Sequence, residues 1–373
     1  MTPLFGSMLM GGFECAAHKL VSGKRLDITA SSGHDIEAAA DYRLLQDHGM
    51  GAARDGLRWH LIERRPGVYD WSSFLPMLRA ARDTGMPVIW DLLHYGVPNG
   101  VDIFSPRFVD RFAAFARAVA GVIAGETEAP PVFTPINEIS FWAFAGGEVG
   151  GLNPFARGRG DAVKRQLVRA TLAAADAVRS VDAQARIACA EPLIHILPRD
   201  ATPEAVRVAA MHNESQFEAV DMLLGRTAPE LGGNPAALDI IGVNYYYNNQ
   251  WVDGAGTVYL GDFRHQPLHR LLATVTARYD QPVYIAETGT EGVFRPHWLD
   301  YICDEVVEAA AQGTQIGGIC LYPIISHLGW DDDRHCQNGL FDGHHIGAPR
   351  DAFAPLARAV RAQAARFAPV TAA

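Results

Sequence analysis

Val283-Tyr-Ile-Ala-Glu-Thr-Gly-Thr-Glu-Gly292 is an apolar, β-branched run that ends on a carboxylate, Glu287, and breaks at Gly289. A buried strand with an acid at its C-terminal end has this form. Pro131-Val-Phe-Thr-Pro-Ile-Asn-Glu138 repeats it, running apolar to Asn137-Glu138 before a Gly-rich stretch. A lone acid after a strand is ordinarily a solvated loop residue. Two of them, each at a strand end and in polar company, suggest a pair working as acid and base.

The rest of the chain shows the same alternation of short apolar runs with segments of helical period, eight times over. Strands are expected near 4–10, 51–59, 86–93, 131–137, 185–190, 238–245, 282–287 and 316–322. Helices are expected near 35–48, 71–84, 107–124, 161–180, 203–224, 267–279, 295–312 and 351–366, with Ser105-Pro106, Asp161 and Thr202-Pro203 as opening signals. Phe108, Phe112, Phe115, Val119 and Val122 lie on one helical stripe. Pro87-Val-Ile-Trp and Ile319-Cys-Leu-Tyr are apolar throughout, as strands buried on both faces require. Eight strand–helix repeats without a Gly-rich dinucleotide turn after the first strand predict an α/β fold, a single closed (β/α)₈ TIM barrel in one domain over residues 1–373.

Composition narrows the function. The 373 residues are 49% hydrophobic and 20% charged with a formal net charge of −10, which suits an ordinary globular protein and argues against the phosphate-neutralising surface of a nucleic-acid binder. There is no basic leader before Leu4-Phe-Gly-Ser-Met-Leu-Met10 and no apolar run of membrane-spanning length, so no membrane partner and a cytoplasmic location are expected. Five widely spaced cysteines fit reduced thiols. Trp330-Asp-Asp-Asp333-Arg-His-Cys336, with His327, His344 and His345, matches no zinc or calcium spacing, so neither metal nor cofactor is expected. The composition leaves the oligomeric state open.

In a TIM barrel the strands' C-terminal ends carry the chemistry. Here those ends supply Glu14, Arg54 or Arg58, His94-Tyr95, Asn137-Glu138, Asn244-Tyr245-Tyr246, Glu287 and Tyr322, with Trp251 as a pocket wall. Hydrogen-bonding groups and flat rings around two acids are what a sugar demands, with its hydroxyls and its C–H face. The aromatic and Gly-rich stretch 141–154 reads equally as a platform for a leaving group or as packing on the fourth helix.

These residues resemble the retaining glycosidases of the (β/α)₈ clan A, most closely glycoside hydrolase family 1, the β-glucosidase family. The resemblance is carried by His94-Tyr95-Gly-Val-Pro98, Thr134-Pro-Ile-Asn137-Glu138, Ile241-Gly-Val-Asn244-Tyr245-Tyr246, Ile285-Ala-Glu287-Thr-Gly289, and Trp330 ahead of Gly339-Leu-Phe341. It implies Glu138 as acid/base and Glu287 as nucleophile, with Arg54 and Tyr246 holding the nucleophile and Asn137 on the sugar 2-OH. It further implies a small glycoside as partner, and Glu14, His94, Tyr95, Asn244, Trp251, Tyr322, Trp330, Asp331 and Asp332 around it. The chain departs from the family at Ile139 (usually Pro), Glu14 (Gln), Tyr95 and Tyr322 (Trp), and Gly329-Trp330 (Glu-Trp), and it is short. The expected glycone is a neutral β-linked sugar, handled through at least one of the acids Asp331, Asp332 and Asp333.

Overall fold

The computed structural model describes residues 2–330, 332–343, 347 and 349–368. Its centre is a parallel barrel whose strands are counted as staves one to eight. Staves one to four are Leu9–Gly12, Ala53–Gly56, Val88–Asp91 and Val132–Thr134. Stave five is split into Arg186–Ile187 and Glu191–Pro192, and staves six to eight are Ile241–Asn244, Val283–Thr288 and Ile316–Leu321. Each stave pairs in parallel with its neighbours, and stave eight returns to stave one. The split stave closes the ring: Arg186–Ile187 pairs with stave four, and Glu191–Pro192 pairs with stave six. This is the (β/α)₈ barrel expected from the eight alternations.

The barrel interior is filled by Met10, Ala52, Ile89, Ala188, Ile240, Tyr284, Ala286 and Cys320, while a larger apolar layer lies between the staves and the helices. The first stave is shorter than the apolar run at 4–10 because the start of that run plugs the barrel's lower end. Phe5 meets Tyr284 edge-on at 5.1 Å, and the Leu4 N–H donates to the Gly317 carbonyl.

The helices fall close to their expected positions, with two corrections. The segment read as one helix over 203–224 is two, Pro203–Ser215 and Glu218–Leu223. At the break, Asn213 and Gln216 turn their amides onto the backbone of Ile194 and Ile196, fixing the loop after stave five. Asp161 does not cap its helix. It lies in the first turn of Gly160–Arg179, where its charge faces the positive end of the helix. Ser105 and Thr202 do cap, accepting from Arg107 and Ala205. The stretch 141–154 is largely helical, with a short α-turn Ile139–Trp142 and a π-helical turn Ala143–Glu148 packed on Gly160–Arg179.

Beneath stave two, His34 has a carboxylate oxygen 2.8 Å from each ring nitrogen, Asp41 on one side and Asp55 on the other. A neutral imidazole has one N–H, so both contacts are met only by the imidazolium. Burial opposes that charge, but Asp55 and Asp41 outweigh it and raise the His34 pKa to about 9. Arg350 also binds Asp41, tying the segment before the last helix to the helix His34–Asp47. Because the folded-state pKa is raised, this stabilisation is complete below the unfolded pKa of ~6.5 and disappears as pH rises through about 9. Unfolding free energy measured in denaturant should therefore fall by on the order of a few kcal/mol across that window in the native protein. His34→Asn should flatten the dependence.

Candidate active site

The site is built around Arg54 at the end of stave two. Its guanidinium is fully buried and all of its donors are used. Nε and one NH2 group bind Asp91 at 2.9 and 2.6 Å. The same NH2 group reaches Asn137 Oδ1 at 2.6 Å, and the other reaches Glu287 Oε1 at 2.6 Å and the Ala286 carbonyl at 3.3 Å. Staves two, three and seven and the turn after stave four are thereby joined through one cation. The alternative, Arg58, points elsewhere and pairs with Asp27 and Asp35.

Glu287 faces this cation because stave seven is irregular. Val243 pairs with Ile285, but the next residue, Asn244, pairs with Glu287. The extra residue, Ala286, is a β-bulge, which breaks the alternation that would otherwise turn Glu287 to the side opposite Ala286. Its second oxygen accepts from Tyr246 Oη at 2.8 Å.

Glu138 is held from three sides. Tyr95 Oη donates to Oε2 at 2.6 Å and Asn244 Nδ2 to Oε1 at 2.9 Å. Glu138 and Tyr95 both adopt left-handed backbone, φ 43° and 63°, which costs roughly 1–3 kcal/mol for a residue other than glycine. The Glu138 N–H is taken by the Ala190 carbonyl, and the Tyr95 carbonyl accepts from Asn153 Nδ2. Burial, and next the charge of Glu287, raise the Glu138 pKa to about 7. Arg54 thus supports Glu287 as an anion while Glu138 is pushed towards its acid form. Burial acts on Asp91 in the same upward sense, but Arg54 outweighs it and holds that carboxyl below its usual range.

Proton positions follow from Arg54, which can only donate. Asn137 must offer it Oδ1, so the Asn137 Nδ2 group faces Tyr95 Oη at 2.9 Å and His94 Nε2 at 3.1 Å. His94 Nε2 is then an acceptor, and its proton sits on Nδ1, 3.2 Å from Asp91. Tyr95 accepts from Asn137 and so donates to Glu138.

The chain has the fold of the β-glucosidases. Over 95% of this chain and 96% of theirs, it matches a family 1 β-glucosidase from Thermotoga maritima with a TM-score of 0.77 at 14% identity. A hyperthermophilic β-glucosidase mutant matches with a TM-score of 0.78 at 15% identity over 96% and 100%, and a rice β-glucosidase with 0.75 at 17% over 98% of both. No family model matches the sequence, and no curated protein matches it either.

Of the residues expected at the site, Arg54, His94, Tyr95, Asn137, Glu138, Asn244, Tyr246 and Glu287 form one hydrogen-bonded cluster. Glu14 lies beside it, 3.8 Å from His94 while accepting from the Ala16 N–H. Tyr322 stacks parallel to His94 at 6.3 Å, and Arg54 sits over its ring. Gly12 permits this, since a Cβ there would lie 2.1 Å from Tyr322. Trp330 faces Tyr95 at 6.1 Å and His18 at 4.5 Å.

Other expectations fare differently. Asn137 has both N–H groups committed to His94 and Tyr95, leaving none for a sugar 2-OH. Trp251 lies on the short ribbon Gln250–Val252 beside His195–Leu197, outside the cluster. Asp332 is exposed and accepts from the Arg334 N–H, and Asp333 pairs with Lys24, so neither joins the cluster. Asp331, His344 and His345 lie outside the described residues.

Three participants were not singled out. Asp91 ends the apolar run Pro87-Val-Ile-Trp, where a charged residue closing a doubly buried strand was the available signal. Cys15 lies with Asp91 and His94, their ligand atoms within 4.8 Å of one another. The trio makes a poor metal site, because both Asp91 oxygens serve Arg54 and burial pushes the Cys15 thiol up to about 11. Glu191, the third, accepts from the N–H groups of Ile139 and Ser140 at 2.6 and 3.0 Å. At position 139, where the resembled family has proline, this chain has an N–H, and Glu191 satisfies it directly behind Glu138. Glu191→Ala should orphan two buried donors and cost about 1–3 kcal/mol of unfolding free energy in urea.

Proposed function

We propose that the chain is a retaining, exo-acting β-glycosidase for a neutral β-linked sugar, the whole chain serving as one catalytic domain. Glu287 is its nucleophile and Glu138 its acid/base. The observation that carries this reading is the unequal treatment of the two carboxyls. Glu287 is bound by a cation and a phenol, while Glu138 is half-buried within reach of the Glu287 charge and raised to about 7. A carboxyl paired with a cation and a carboxyl pushed towards its acid form take opposite roles. The fold and the order of the motifs support the same assignment.

In the first step a Glu287 oxygen attacks the anomeric carbon. The bond to the leaving group breaks, and the leaving oxygen takes the proton of Glu138. In the second step Glu138, now a carboxylate, removes a proton from water as that water displaces Glu287 from the anomeric carbon. Arg54 and Tyr246 keep Glu287 ionised and aimed, and retention requires the carboxyls to stand about 5–5.5 Å apart. A neutral glycone fits the acidic company of Glu14 and Asp91, which would repel a phosphate or uronate.

A panel of aryl β-glycosides of glucose, galactose, fucose, xylose, mannose and glucuronic acid tests the reading, with one of the neutral sugars expected to be the best substrate. Turnover of none, or a clear preference for glucuronide, would overturn it. Glu287→Ala should abolish turnover, and azide should restore it by forming a glycosyl azide of inverted configuration, because the small anion attacks the anomeric carbon from the vacated face as the leaving group departs. Rescue with retained configuration would exchange the two roles. The acid form of Glu138 is required, so kcat/KM should decline as pH rises past about 7.

A further inference from the structure

Between the two carboxyls runs a continuous set of hydrogen bonds, from Arg54 to Asn137, from Asn137 to Tyr95, and from Tyr95 to Glu138. Arg54 also holds Glu287. Since Arg54 can only donate, every bond in the series points towards Glu138, and hydrogen bonds aligned in one sense polarise one another. The series ends on one oxygen only, Oε2. Glu138 Oε1 is instead met by Asn244 Nδ2, and Asn244 Oδ1 is buried with no partner among the described residues. An amide flip at Asn244 would present that orphaned oxygen to a protonated Oε1. Oε2 has no such freedom, because Tyr95 is only 1% exposed and its hydroxyl proton has, among the described residues, no other acceptor consistent with the Asn137 orientation.

We propose that Tyr95 is a positioning residue that confines the transferable proton of Glu138 to Oε1 and stabilises the carboxylate once that proton has gone. This rests on the roles assigned to Glu138 and Glu287 above, and it gives Tyr95 a task other than touching the sugar. The titratable groups facing Glu138 are Glu287 on stave seven, Glu191 behind its own turn, Tyr246 beyond stave six and Tyr95. Glu287 and Glu191 favour the proton's retention, and the Tyr95 bond opposes them.

Tyr95→Phe keeps the ring that packs on Phe141 and Trp142 and removes the hydroxyl, which donates to Glu138 and accepts from Asn137. The alkaline limb of kcat/KM should move up by about one pH unit, a tenfold change in the Glu138 proton equilibrium. The step that needs Glu138 as a base should suffer selectively. A dinitrophenyl glycoside, whose departure needs no acid, should lose about tenfold in kcat, by the usual scale of general-base effects reduced by partial compensation from Asn244. A substrate with a poor leaving group should lose less. Incorporating 3-fluorotyrosine at position 95, a stronger donor of the same shape, should move the limb the opposite way. An unmoved limb in both variants, or equal losses with both leaving groups, would reduce Tyr95 to a packing role.

An infrared titration of the protonated Glu138 carboxyl, assigned by its disappearance in Glu138→Gln, reads the same shift without turnover. Inactivity of the native protein would therefore count against the glycosidase reading, while an unshifted infrared titration in Tyr95→Phe would overturn the inference about Tyr95.

Discussion

A buried guanidinium is expensive unless every donor finds an acceptor and the charge finds counter-charges. Arg54 meets both conditions through Asp91, Glu287, Asn137 and the Ala286 carbonyl, and those partners come from three different parts of the barrel. The relation runs both ways. Asp91 is fully buried and Glu287 nearly so, and the cation between them gives both a counter-charge. Removing Arg54 would leave two buried carboxylates without their counter-charge, which costs more than any one of the bonds is worth. The closed barrel makes the cluster possible, because only a ring of short staves points residues so distant in sequence at one spot.

Regular strands would not have finished the job. The bulge at Ala286 turns Glu287 inward, the left-handed residues Tyr95 and Glu138 aim their side chains at each other, and Gly12 leaves room for Tyr322. The bulge and the left-handed residues are departures from regular geometry, and all of these features lie at the C-terminal mouth. Glu191, Asn153 and the Ala190 carbonyl hold the backbone around the strained pair, so the strain is carried by groups that touch neither carboxyl. Local strain concentrated where chemistry is arranged, and braced from behind, is the usual form of a preorganised site.

How much of this the amino-acid sequence discloses depends on the range of the interaction. Periodicity and capping residues are local, so the eight repeats, the helix positions and the ends of staves four and seven could be read directly. The two glutamates stood out for the same reason. Asp91 and Glu191 did not, since a buried acid is recognisable only from the partners that make it tolerable, and Arg54 and the Ile139 N–H lie far from them in the chain. The Asp331–Asp333 run illustrates the converse. Three acids after a tryptophan suggest a grip on hydroxyls, yet Asp332 and Asp333 are engaged by Arg334 and Lys24 at the surface. Charge in a loop says little until the neighbouring cations are known. Asn137 shows a third case, in which the residue was found but its role was not, because the saturation of its amide is a property of the cluster.

The wiring of that cluster bears on how one carboxyl could act first as acid and then as base. In the proposed reaction, formation of the sugar ester removes the charge of Glu287. Through space, this lifts a repulsion that had been raising the Glu138 pKa. Through the hydrogen bonds, it leaves Arg54 with Asp91 as its one charged partner, so Arg54 polarises Asn137 and Tyr95 more strongly. Both effects favour the carboxylate form of Glu138, at the stage when a base is wanted. They reverse together when hydrolysis restores the Glu287 charge. A tryptophan at position 95, as in the resembled family, would leave the first effect intact and break the second at its hydroxyl. The substitution of Tyr for Trp therefore adds a second, bonded route for the same signal, and the acidity of Glu138 in this chain depends on a phenol as well as on the distance between two charges.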